Sequence, residues 1–263
     1  MSDATTRLLI ATVAILTLSI SLFACDTVNI SYVTTRIGEL RPIKLSDGSV
    51  ITLNTDSGIK TRTDGTSLHV EVLRGEVLFA MQPNSKRHLS VSAGDLDISD
   101  TATVFDVRVS SDGQVLVTVQ EGQVWLSAHR RGQLPLEHNQ QAIRDEHLGI
   151  LQLRRGLSSR SIEYQLSWRE GRLIFGCERL SEVAREFNRY NLTKLEVDPR
   201  IENEEIGGNF SATDVTEFVG LMPHLDASIR WERTQDARGA PILRLYQAAN
   251  STLSTERYAP CNP

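Results

Sequence analysis

Two patterns of apolar and polar positions divide the chain, and the change falls near residue 165. From Tyr32 to about Ser127, apolar and polar residues alternate in short runs that are separated by turn signals containing glycine. The stretch Gly38–Ser57, GELRPIKLSDGSVITLNTDS, is typical, because two alternating runs flank an Asp47-Gly48 turn. This pattern predicts a β-hairpin. Similar runs follow without any segment of helical period, so the region is predicted to be an all-β unit.

From Gln165 the period becomes that of helices. Two apolar stripes at positions i, i+3, i+4 and i+7 predict one helix that ends near Tyr190 and a second that Pro223 terminates. Ser211 or Thr213 is predicted to cap the second helix. Short apolar runs at 173–175, 194–197, 206–210, 228–231 and 242–246 predict strands. The stripes consist of Leu180, Val183, Ala184 and Phe187, and of Val215, Phe218, Val219 and Met222.

The predicted fold class is therefore mainly β. An antiparallel β roll or solenoid-like domain is predicted over residues 32–150. A small α+β domain, with two helices on one face of a short sheet, is predicted over residues 165–246. Residues 128–164 between the two patterns are polar, and they contain one or two candidate strands, such as Gln140–Ile143, followed by a linker.

An apolar segment precedes the β unit. No charged residue occurs from Leu8 to Cys25, and a helix of this length spans roughly 27 Å, close to the thickness of a bilayer core. We predict a transmembrane anchor over residues 8–25, after a short cytoplasmic end formed by residues 1–7. Two alternatives stay open: a cleaved signal peptide, and a lipoprotein signal in which Cys25 of Leu22-Phe23-Ala24-Cys25 is lipidated. All three place the remaining chain outside the cytoplasm.

Composition limits the function classes. The net charge is -5 and the basic residues are dispersed, so nucleic-acid binding is not expected. The three cysteines form no CxxC motif, and Cys177 and Cys261 could either pair in an oxidising compartment or stay unpaired. The histidines show no metal-binding spacing, and nucleophile-elbow and P-loop motifs are absent. We therefore predict no enzyme activity, no metal and no cofactor.

Several widely spaced motifs share one pattern. The first region contains Gly38-Glu39, IKLSDGS at 43–49, LNT at 53–55, LRGEVLF at 73–79 and EGQV at 121–124. The second contains WREGRLIF at 168–175, EFNRY at 186–190 and IGGNF at 206–210. In this order, over roughly residues 32–232, they resemble the FecR family, whose members are inner-membrane regulators of cell-surface signalling in Gram-negative bacteria.

The resemblance implies a single-pass protein of the bacterial inner membrane with most of its chain in the periplasm. Its second domain would be similar to the N-terminal domain of secretins and TonB-dependent receptors. The implied function is that of a transmembrane signal transducer of the anti-sigma-factor type. Such a protein binds the periplasmic signalling domain of a TonB-dependent outer-membrane receptor. It then relays ligand status, for example siderophore-bound iron, to an extracytoplasmic-function sigma factor. The alternative is an anchored or lipidated envelope interaction module without sigma-factor control.

Two departures from the family pattern affect these expectations. Family members carry a cytoplasmic segment of several dozen residues that holds the sigma factor, whereas only Met1–Arg7 precede the apolar segment here. Either the sequence is shortened at its N-terminus or this member lacks direct sigma-factor control. Some members also cleave themselves at a Gly-Thr bond, where this chain has Ala102-Thr103. Because alanine tolerates strained backbone less well than glycine, no self-cleavage is expected.

Partner binding is predicted on the α+β domain. Leu173, Ile174 and Phe175 are predicted to form an edge strand, which offers unpaired backbone groups to a partner strand. Arg185 and Arg189 are predicted to be exposed on the first helix of this domain.

Overall fold

The computed structural model describes residues 29–83, 85, 87–100, 103–128, 131–145 and 147–248. The predicted cytoplasmic end, membrane anchor and lipidation candidate Cys25 lie outside these residues. No helix within the described ranges is long and apolar enough to cross a membrane. The described part contains a β roll, residues 29–154, and an α+β domain, residues 159–247.

The β roll contains thirteen strands, as the alternating pattern predicts for a mainly β region. Its strands are β1 (Asn29–Thr34), β2 (Arg41–Lys44), β3 (Val50–Leu53), β4 (Gly58–Asp64), β5 (Ser67–Ala80), β6 (His88–Ala93), β7 (Leu96–Asp100), β8 (Val104–Val109), β9 (Gln114–Glu121), β10 (Gln123–Ala128), β11 (Arg131–Glu137), β12 (Gln140–Asp145) and β13 (Ile150–Arg154). The predicted hairpin is confirmed, since β2 and β3 pair across the Asp47-Gly48 turn.

The strands form two sheets that share β5. The first sheet has the order β1-β4-β5-β6-β7-β10-β11, and the second has the order β2-β3-β5-β8-β9-β12-β13. All the pairs described within the roll are antiparallel except β5 with β6, which are parallel. The Arg144 guanidinium on β12 joins the sheets with two hydrogen bonds to the Asp95 carboxylate, at 3.0 and 2.5 Å.

Strand β5 is long because a glycine lets it bend. The Arg74-Gly75-Glu76 segment reads as a break between two strands, but β5 runs through it without interruption. Gly75 has φ 80°, and a Cβ atom there would lie 2.3 Å from Ser57 Oγ. Only glycine fits this backbone and this close approach. The N-terminal half of β5 pairs with β4 and β6, and the C-terminal half pairs with β3 and β8.

The core of the β roll lies between the two sheets. Inward positions alternate along each strand with outward ones, so apolar side chains from both sheets meet. Phe79 and Phe105 stack with ring centroids 4.9 Å apart. The largest fully buried side chains of this core also include Ile51, Leu53, Ile59, Leu96, Ile98, Leu126 and Leu136.

The α+β domain has three helices and two small sheets. Its elements are α1 (Ser159–Gln165), a 3-10 helix (Ser167–Glu170), β14 (Arg172–Arg179), α2 (Leu180–Tyr190), β15 (Lys194–Val197), β16 (Glu205–Ser211), α3 (Val215–Leu225), β17 (Ile229–Gln235) and β18 (Pro241–Gln247). Strand β14 pairs with β16, and β18 lies between β15 and β17. The prediction of one short sheet and two helices is therefore incomplete.

The two stripe-bearing helices occur as predicted, but the ends of α3 differ. Asp214 caps α3, because its carboxylate accepts a hydrogen bond from the Glu217 amide at 2.8 Å. The prediction that Ser211 or Thr213 does so is wrong. Pro223 lies inside α3, which continues to Leu225. Proline removes only one backbone donor, and the buried Phe218, Val219 and Met222 hold this last part of the helix in place.

Candidate functional site: the interface between the two domains

The outer face of the second sheet is covered by the α+β domain. In the register of β5 and β8, Glu76 lies opposite Arg108 and Leu78 lies opposite Asp106. These positions alternate with core residues and therefore point away from the core of the β roll. Glu76, Leu78 and Asp106 are nevertheless buried, and Leu78 belongs to the apolar core of the α+β domain.

A charged network joins the two domains across this face. The Glu76 carboxylate accepts hydrogen bonds from Arg189 Nη2 and Asn54 Nδ2, both at 2.6 Å. Asn54 Nδ2 also donates to the Tyr190 hydroxyl oxygen at 2.7 Å. Arg189 pairs in addition with Glu186, whose second oxygen lies 3.3 Å from Arg108 Nη1. Two strands of the β roll and helix α2 are thus linked by alternating charges.

Two glycines position this network. Gly75 brings the backbone of β5 against Ser57, whose Oγ accepts a hydrogen bond from the Glu76 amide at 2.9 Å. Gly38 has φ 79°, and its amide donates to Thr55 Oγ1 at 2.8 Å. Thr55 Oγ1 in turn donates to the Arg189 carbonyl at 3.0 Å. A Cβ atom on Gly38 would lie 3.2 Å from the Tyr190 carbonyl oxygen. The segments that flank the β2–β3 hairpin therefore contact the end of α2 directly.

The two buried carboxyls of the network carry opposite pKa shifts. Burial opposes ionisation of Glu76, but the positive charges of Arg189 and Arg108 outweigh it, so its pKa lies below the ordinary value. Burial and the neighbouring Glu76 charge raise the pKa of Asp106 well above its ordinary value, although the two arginines act against this. The charges of the two arginines therefore favour the ionised form of Glu76, whereas the surroundings of Asp106 favour its neutral form.

A groove of about 770 Å³ runs beside this network along β14. Strand β14 pairs with β16 on one side only among the described strands. At the start of its other side, Ser167 Oγ accepts from the Ile174 amide at 3.2 Å and donates to the Arg172 carbonyl at 3.1 Å. Glu186 and Arg108 of the charged network also line the groove. A molecule bound along β14 would therefore contact residues that hold the two domains together.

The residues predicted for partner binding have different environments. Leu173 is buried, and Ile174 and Phe175 are half-buried along the groove. The Arg185 side chain is 76% exposed and pairs only with Glu182 among the described residues. The expectation that Arg189 is exposed is wrong, since its side chain is 18% exposed and pairs with Glu76 and Glu186. Arg189 serves the contact between domains.

Sequence reasoning did not single out Glu76, Asp106, Asn54 or Tyr190 as parts of one site. A signal was present, because three of them lie within the recurring motifs LNT, LRGEVLF and EFNRY. The structure brings these three motifs together. Residues from all three motifs therefore belong to one interface between the domains.

The remaining sequence candidates form no part of the charged network. Thr103 is buried and its Oγ1 has no hydrogen-bond partner among the described residues, while Ala102 lies outside them. Cys177 is disulfide-bonded, and the other two cysteines lie outside the described residues. Within those residues no group of histidine, cysteine, aspartate or glutamate side chains is arranged to hold a metal ion.

Comparison with known proteins agrees with this architecture. Residues 31–125 match the model of the family described as FecR protein, which confirms that the chain resembles the FecR family. Two crystal structures of a candidate anti-sigma factor from Parabacteroides distasonis share the fold. Their TM-scores are 0.62 and 0.63 at 19% sequence identity. They cover 82% and 83% of this chain and 99% and 100% of their own. No curated protein matches the sequence significantly.

Proposed function

We propose that this protein is a signal transducer of the anti-sigma-factor regulator type. The FecR match supports a regulatory signalling role. In the finer form of the proposal, the α+β domain binds the periplasmic signalling domain of a TonB-dependent receptor. The chain relays this event through a membrane anchor to an extracytoplasmic-function sigma factor.

The observation that carries this proposal is the position of the β14 groove. A strand with one open side can accept a partner strand through backbone hydrogen bonds. The groove along β14 is lined by Glu186 and Arg108, which belong to the same ion network as Arg189 and Glu76. A partner that displaces Glu186 from Arg108 therefore changes the contact between the two domains. Binding of a partner to the α+β domain could in this way change the contact of that domain with the β roll, which is what signal relay requires.

The test is a titration of the full chain, in detergent micelles, with the periplasmic signalling domain of the TonB-dependent receptor encoded nearest to it. We expect saturable binding that Ile174→Asp weakens at least about tenfold, because a charge on an edge strand opposes strand addition. The matched control is Leu192→Asp, at an apolar residue that is 74% exposed and does not line the groove. This variant should bind like the unchanged protein.

Absence of binding to this and related receptor domains would contradict the proposal. It would favour the envelope interaction module, and mass spectrometry of the N-terminal region would then show whether Cys25 is lipidated. If Ile174→Asp and Leu192→Asp weaken receptor binding equally, the binding surface does not lie on β14.

A further inference from the structure

The outer face of the first sheet carries a shallow trough that the proposed relay does not use. Its volume is about 560 Å³, within the range of roughly 300–1,000 Å³ typical of small-molecule sites. It lies on β4, β5, β6, β7, β10 and β11 of the β roll. From this trough we infer a binding site for a neutral pyranose oligosaccharide.

The strand register places the trough residues in two rows. One row runs from Trp125 through Ser99, Ser90 and His69 to Arg62. The next runs from Ser127 through Asp97, Ser92 and Glu71 to Lys60. Neighbouring side chains in a row are about one strand spacing, ~4.8 Å, apart. Small hydroxyl side chains on β6 and β7 thus form the floor, and longer side chains on β5 and β10 form the walls, roughly 14 Å apart.

Trp125 is the dominant exposed group of this trough. Its side chain is 42% exposed on β10, where Ser99 and Pro135 are its cross-strand neighbours. Trp125 also lines the trough, so this large exposed aromatic side chain lies beside the trough hydroxyl groups. An exposed aromatic side chain beside hydroxyl groups suits the C–H face of a pyranose ring. The Ser90 hydroxyl is hydrogen-bonded to His69 Nδ1 at 2.5 Å. The sugar hydroxyls would therefore bond to Ser92, Ser99 and Ser127.

Charge and backbone pairing argue against other ligand classes. Two basic side chains, Lys60 and Arg62, balance two acidic ones, Glu71 and Asp97, so the lysine, arginine and carboxylate charges of the lining cancel. Lys60 is also paired with Glu71 at 3.6 Å. A polyanion would therefore meet two carboxylates. A peptide strand would find no free edge, because β6 and β7 are each paired on both sides.

The site differs from the proposed relay site in both location and ligand. It lies on the first sheet, whereas the groove along β14 faces the second sheet. Loss of receptor binding along β14 therefore does not predict loss of saccharide binding in the trough. Each proposal can be refuted without the other.

The test is isothermal titration calorimetry of the full chain with two probes, hexa-N-acetylchitohexaose and cellohexaose. The detergent should have no sugar headgroup, such as lauryldimethylamine oxide, because a maltoside would compete. We expect at least one hexasaccharide to bind. Trp125→Ala should weaken it about tenfold or more, and Ser99→Lys, which fills the floor, should abolish it.

Trp231→Ala is the matched control, since this tryptophan is 36% exposed but lies on β17 of the α+β domain. It should leave saccharide binding unchanged, and circular dichroism should show that all three variants are folded. Comparison of the probes shows whether acetamido groups contribute. No binding of either probe at millimolar concentration would overturn the inference. Equal affinities of the unchanged protein, Trp125→Ala and Ser99→Lys would also overturn it.

Discussion

The two outer faces of the β roll have similar kinds of residues and different surroundings. Both faces present charged and polar side chains that alternate with core residues along the strands. On the second sheet, Glu76 and Asp106 are covered by the α+β domain. On the first sheet, Lys60 and Glu71 stay at the surface. The comparison shows that the alternation predicts which side chains point away from the core. It does not predict whether those side chains contact solvent or a second domain.

The largest difference between the two faces should appear when a charge is removed from the covered one. Arg189→Ala leaves Glu76 buried without its arginine partner. We expect the free energy of unfolding to fall by about 3–5 kcal/mol. Urea denaturation at neutral pH measures this. Arg185→Ala is the matched control on the same helix, because Arg185 is 76% exposed, and its loss should stay below about 0.5 kcal/mol. Similar losses in the two variants would contradict the assigned role of Arg189.

The bend in β5 supports the covered face through the backbone. Gly75→Ala places a Cβ atom 2.3 Å from Ser57 Oγ at φ 80°. We expect a loss of about 3 kcal/mol from strain and overlap together. In Gly65→Ala, at φ 57° with no atom within 4 Å of the added Cβ, only the backbone strain of about 1 kcal/mol remains. Equal losses, measured by urea denaturation, would show that the close approach to Ser57 does not matter.

Gly75 and Arg189 show which parts of the structure the sequence alone predicts. The alternation on both sides of Gly75 predicts strands and the core of the β roll, because that signal is local, but it does not predict that β5 continues through Gly75. The bond between Glu76 and Arg189 joins residues 113 positions apart, and no local period indicates it. Helix α1 was missed for a related reason. It buries only Ile162 and therefore has no apolar stripe.

The candidate site was predictable in part. The patterns predict the β14 strand and helix α2, and β14 pairs with β16 alone among the described strands. The different roles of Arg185 and Arg189 depend on which face of α2 meets the β roll. Sequence periodicity places both residues outside the apolar stripe, and only the packing of the two domains distinguishes them.

The pH dependence of stability should reveal the raised pKa of the Asp106 carboxyl on the covered face. Because the pKa of Asp106 is raised in the folded state, its contribution to stability is full below its ordinary pKa of 3.8. That contribution is lost as pH rises toward the raised folded value. Asp106→Asn mimics the neutral form, so it should be more stable than the unchanged protein at neutral pH. The gain should shrink as pH falls toward 3.8.

Urea denaturation between about pH 4 and pH 8 measures this change. Asp97→Asn, at an exposed carboxyl on the first sheet, serves as the control and should show no comparable gain. A loss of stability in Asp106→Asn at neutral pH would mean that Asp106 is ionised in the folded protein.

The smallest effect is expected from an ion pair on the open face. Lys60 and Glu71 are 3.6 Å apart, with side chains 38% and 49% exposed. Water screens such a pair, so Glu71→Gln should lower the free energy of unfolding by less than about 1 kcal/mol. Added salt should reduce this difference further. Urea denaturation at low and high salt measures both values. A salt-independent loss as large as that of Arg189→Ala would mean that the first sheet is also covered, since only burial gives a single charge pair such weight.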